Sequence, residues 1–201
     1  MTGLGNNERK IFLGIAQGKI TYRAGRDAEK QEFDFVEGRI KGITRRDAHI
    51  NDKDIKFYEI AIENGNNKFI LSVPMDGSVA RGIILSLAGI QNFSETTVKI
   101  SPWLKDTYTN VSVYANGEKA GWVIDPKELP PVKEIKAGTK TFYDDSERVD
   151  LVEKMVDSIN ERIATEPASS NAPMVDYDQY PGQGGVVNDG LDNGSGGGFP
   201  G

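Results

Sequence analysis

The last 38 residues limit how much of this chain can fold. From Ala164 to Gly201 there is no Lys or Arg, and nine positions are glycine. Such a segment cannot bury enough apolar area to offset its chain entropy, so residues 164–201 are expected to form a disordered acidic tail. Its apolar residues are scattered. Phe199 stands beyond Asp189, Asp192 and a glycine run, where it is either a short docking anchor or without a role. What remains is expected to be a mainly β domain over residues 1–141 and an amphipathic helix over 142–163. In that helix Val149, Val152, Val156, Ile159 and Ile163 recur at spacings of three and four, with Asp145 or Ser146 as cap. The narrow apolar stripe either docks on the β domain or pairs with a partner chain.

Charge follows the same division. Residues 1–141 carry 21 Lys and Arg against 18 Asp and Glu, a balance of +3. Residues 142–201 carry 3 against 12, a balance of −9, which together give the net −6. A mildly basic body can attract a polyanion while an acidic tail competes for it or recruits a basic partner. The other reading is that the tail keeps the chain soluble.

Within the body, Ile11–Tyr22 reads as an extended segment interrupted by Gly14 and Gly18. Residues 32–43 read as a strand bent or bulged at Gly38 and Gly42. Residues 44–54 read as a polar loop. Residues 55–62 and 68–73 should form a hairpin around Glu63-Asn64-Gly65-Asn66, ended by Pro74. Val79, Ile83, Leu87 and Ile90 then mark a helix, capped by Asp76 or Ser78. Residues 96–100 and 108–114 are strand-like. Asn116-Gly117 is a strong hairpin turn, with 119–124 as the return strand before Pro126, Pro130 and Pro131.

Much chemistry is excluded. There is no cysteine, and His49 is the only histidine, so zinc sites built from several Cys and His ligands cannot form. No P-loop, dinucleotide fingerprint or nucleophile elbow is present. His49 with Asp52 and Asp54 reads as a solvated loop, since carboxylates imply catalysis only inside a pocket. No catalysis, cofactor or metal is therefore expected. No apolar run reaches membrane-spanning length, and residues 1–10 lack the pattern of a secretory signal.

The order of elements is that of a small Greek-key barrel with a helix after its third strand. With segments such as Phe35-Val36-Glu37-Gly38-Arg39-Ile40 and Trp122, the layout resembles phage-type single-stranded-DNA-binding proteins of the OB fold. The resemblance covers roughly residues 31–125 for the barrel and 164–201 for the tail. It implies protection of single-stranded DNA during phage replication in the cytoplasm of an infected bacterial host. It also implies a tail that contacts replication proteins, here through Asp189, Asp192 and Phe199.

Binding single strands requires cations along the phosphates and aromatic planes for the bases. The cation candidates are Arg39, Lys41, Arg45, Arg46, Lys53, Lys56 and Lys105. The stacking candidates are Phe57, Phe69, Trp103, Tyr108, Tyr114 and Trp122. Phe57 is preferred to Tyr58, which shares a strand face with Ile60 and Ile62. Trp103 is expected in a polar loop. Nothing in the sequence separates DNA from RNA. The competing reading is a structural or adaptor protein that forms a homo-oligomer through residues 149–163.

Overall fold

Apolar side chains at every second position mark several of the strands that make up about half of the described chain. The computed structural model describes residues 10–25, 27–137 and 140–166. The tail candidates Asp189, Asp192 and Phe199 lie outside the described residues. A hairpin comes first, β1 (Lys10–Ala16) and β2 (Lys19–Tyr22), followed by the short β3 (Gln31–Phe33). The long pair β4 (Val36–Ile50) and β5 (Lys53–Asn64) turns at Asn51-Asp52. Next come β6 (Asn67–Pro74), α1 (Ser78–Leu87), and the meander β7 (Val98–Lys105), β8 (Tyr108–Ala115) and β9 (Glu118–Ala120). A separate two-stranded ribbon, β10 (Lys133–Ala137) with β11 (Lys140–Asp144), leads into α2 (Ser146–Thr165).

Nine strands form one mixed sheet in the order β3-β2-β1-β6-β5-β4-β7-β8-β9. The pairing of β1 with β6 is parallel, residue 10 opposite residue 68, and the other pairings are antiparallel. The expected mainly β fold, with a helix after the third strand of the β4–β8 run, is present. The expected closed barrel is not. Closing β4–β8 on itself would require β6 to pair with β8, and β1 occupies that edge of β6. The sheet still curls, because β2 lies against β7. The Gln17-Gly18 turn makes this contact. Gly18 adopts a φ of +71°, and its N–H donates to the Thr109 hydroxyl at 3.2 Å. A Cβ at this position would stand 2.6 Å from the Leu104 backbone nitrogen.

The bend foreseen near Gly42 is a β-bulge, a register shift between Ile40 and Gly42 where Lys41 is the extra residue. One face of the curl carries Ile40, Ile43, Tyr58, Ile60, Ile62 and Leu71, all buried. Both helices pack into this core. From α2, Val152, Val156 and Ile159 are buried, each worth about 1.5–3 kcal/mol relative to exposure. Of the two readings of that stripe, the structure therefore has docking.

Polar contacts fix the helix in place. Asn160 accepts from the Ile43 N–H at 2.9 Å and donates to its carbonyl at 2.8 Å, beside the bulge. The Glu166 carboxylate accepts from the N–H groups of Phe93 and Ser94, and Arg162 donates to the carbonyls of Ala88 and Ile90.

Other expectations need correction. Residues 44–54 are not a loop but a β-ribbon arm, whose side chains are mostly exposed on both faces and so give no alternating pattern. The return strand 119–124 shortens to Glu118–Ala120, because the Val123 N–H bonds to Leu85 of α1 instead. Gly77, not Asp76 or Ser78, is the N-cap of α1, without a side-chain cap bond. The N-cap of α2 is Asp145, as expected, but the Ser146 N–H donates to Asp144.

Gly18→Val combines an unfavourable φ with a backbone clash and should lower stability by about 2 kcal/mol or more in urea unfolding. An unchanged midpoint would show that the turn does not brace β7. Tyr58 gives a pH test. Burial first, and then the bond its hydroxyl donates to Glu153 (2.8 Å), raise its pKa above the ordinary 10.0. Above about pH 10 the unfolded chain releases this proton while the folded chain retains it, so stability should fall as pH rises through that range. Tyr58→Phe should cost about 1 kcal/mol at neutral pH and reduce the alkaline loss.

Candidate nucleic-acid interface

The β7–β8 hairpin gathers four of the sequence candidates on one face. Val98, Ile100 and Pro102 point into the core, so the alternate residues of β7 point to solvent. Their partners across the ladder share that face: Lys99 with Tyr114, Ser101 with Ser112, Trp103 with Asn110, and Lys105 with Tyr108. Trp103 and Tyr108 are 44% and 75% exposed. Trp103 is therefore on a strand and not in a loop. Beyond Ile100, β7 has left its pairing with β4, and a free edge tolerates Pro102.

Two further lysines belong to this face. Lys119 on β9 is opposite Tyr114, and Lys99 lies between two rings, 4.4 Å from the centre of Phe35 and 5.5 Å from that of Tyr114. The missing signal for Lys99 and Phe35 was register, since they are 64 positions apart in sequence. Among the described residues, Lys99, Lys105 and Lys119 form no ion pair with a carboxylate. Over the six steps from Lys99 to Lys105 this face extends ~20 Å.

The β4–β5 arm holds the second group of candidates, and there the cations divide. Arg45 turns toward α2, where its guanidinium bonds to Glu153 and, at 2.8 Å, to Asp157. Its guanidinium is thus engaged with the helix dock. Arg46 is on the solvent face, paired with Glu59 and 4.9 Å from the Phe57 ring, which is half-buried. Lys53 and Lys56 are exposed on the arm. Lys41, at the bulge, is 3.6 Å from Glu63, and Arg39 is half-buried opposite Glu63. His49 sits on the exposed arm, 2.9 Å from Asp54.

Two aromatic candidates lie elsewhere. Trp122 follows β9 and rests over α1, where a Cβ on Gly82 would stand 3.9 Å from its ring. Phe69 is half-buried in a cleft of about 530 Å³ that also includes Tyr22, Phe33 and Phe35. Beside this cleft, the bond donated by Lys19 holds the Asp34 carboxyl below the usual range.

The division into platform and dock has a direct check. Trp103→Ala and Tyr108→Ala should each leave stability within about 0.5 kcal/mol of the parent in denaturant melts, as exposed positions do. Arg45→Ala should lose about 1 kcal/mol, since it breaks a partly exposed network. The reverse ranking would reassign these roles. No family model matches the chain, and neither the curated proteins nor the solved structures yield a match.

Proposed function

We propose that this chain binds single-stranded nucleic acid, foremost single-stranded DNA, without catalysis, and that the solvent face of β7–β8 is the platform. The carrying observation is the alignment of Trp103, Tyr108 and Tyr114 with Lys99, Lys105 and Lys119, which pair with no carboxylate among the described residues, on one face of β7–β9. Stacking on aromatic planes is tolerant of base identity, and lysines beside the planes match a phosphate backbone. Ser101, Asn110 and Ser112 separate the rings and add hydrogen-bonding groups. Lys53 and Lys56 are exposed cations on the arm, but Asp47, Asp52, Asp54 and Glu59 offset its positive charge, so the β7–β8 lysines carry the electrostatic part of this reading.

In this reading β4–β8 with α1 are the five strands and helix of an OB-type barrel, opened by the β1–β2 hairpin at the place where its third and fifth strands would meet. The phage setting, the infected host's cytoplasm and tail-recruited replication proteins accompany that resemblance. The adaptor reading relies on the α2 stripe as an oligomer seam. Burial of Val152, Val156 and Ile159 in the core favours strand binding over it.

The test is fluorescence anisotropy with a labelled single strand, its duplex and its RNA counterpart across a salt series. Preferential binding to the single strand is expected, weakening as salt rises, and Lys99→Ala and Lys105→Ala should each reduce the salt slope by about 1. Trp103→Ala should cost about 1–3 kcal/mol of binding. No binding at low salt would overturn the proposal.

A further inference from the structure

We infer that the cleft between the N-terminal hairpin and the β5–β6 turn is a base-binding pocket, which receives one base of the strand carried by the β7–β8 platform. This inference rests on the strand-binding reading. Its first support is continuity. Phe35 lines the cleft and also faces Lys99, so a strand lying on the platform passes the cleft mouth at a shared ring.

The second support is the chemistry of the walls. Tyr22, Phe33, Phe35 and Phe69 supply aromatic surface, and Phe33 and Phe35 are 47% and 45% exposed. Gln31, Asn66 and Asn67 add amide groups whose side chains make no hydrogen bond among the described residues. Asn64 is engaged with the Glu37 carbonyl at 3.1 Å, and the Glu37 carboxylate is an acceptor suited to an exocyclic amine. Among the described residues, no Lys or Arg lines the cleft. A phosphate would therefore find no counter-charge inside, whereas a neutral base finds planes to stack on and amides to bond. The backbone can stay outside on Lys99. At about 530 Å³ the cleft is within the range of small-ligand sites.

The experiment uses the full chain and an oligonucleotide containing 5-iodo-deoxycytidine, irradiated and then mapped by mass spectrometry. Adducts on Tyr22, Phe33, Phe35 or Phe69, besides those on the platform, are expected. Phe33→Ala, at an exposed position on a three-residue strand, should weaken binding about tenfold and remove the cleft adducts. Tight binding with adducts confined to Trp103, Tyr108 and Tyr114, and unaffected by Phe33→Ala, overturns the pocket while leaving the platform standing. That outcome would assign the cleft to another occupant, such as a protein segment. A chain that binds no strand overturns both.

Discussion

The parallel pairing of β1 with β6 is the constraint on which the remaining architecture depends. It takes the edge through which β6 would otherwise reach β8, so the sheet stays open by hydrogen bonding. It brings the Gln17-Gly18 turn against β7 and Thr109, which closes the curl by packing instead. It also places Ile11 and Leu13 beside Phe69, and the aromatic cleft is formed between these strands. The opening therefore adds a concave surface next to the β7–β8 face.

The second organising contact is the seat of α2. Beyond Gly38 β4 has left its pairing with β7, and on that open edge the Asn160 side chain supplies both a donor and an acceptor to Ile43. Arg45 and Tyr58 converge on Glu153 of the same helix. Arg45 and Tyr58 on the inner side of the arm thus hold the helix, while Arg46, the next residue, stands on the outer face beside Phe57. The acidic residues of α2 that contribute to the −9 balance of residues 142–201 are partly committed to this task. Net charge for the whole chain says little about either surface.

Legibility in the sequence followed the physical signal each element carries. Period-two alternation marked Tyr58, Ile60 and Ile62 as core, and Asn116-Gly117 and Asn64-Gly65 marked real hairpins. The α2 stripe showed its helix, though not which surface would cover it. The arm was unreadable because neither of its faces is apolar, so its strands resemble a polar loop. Pro102 hid the strand that carries Trp103. Arg45 and Arg46 are adjacent and chemically alike, and only the alternation of side chains across a strand sends one to the helix and the other to solvent. The joining of Lys99, Phe35 and Tyr114 depends on register between distant segments. The parallel pairing had no local signature at all.

That pairing also orders events during synthesis. β1 leaves the ribosome first, yet its partner on β6 follows about 58 residues later, a delay of about 3–12 s at ~5–20 residues/s. In that interval the β1–β2 hairpin has only the three-residue β3 beside it, and so small a sheet with nothing packed on its face is marginal in water. The β4–β5 ribbon is local and can pair as it emerges. Ile43 waits longest, since Asn160 is 117 residues away in sequence. The nascent chain therefore acquires its central ribbon before its flank, and the open edge of β4 at Ile43 is satisfied only when nearly the whole described fold has been made.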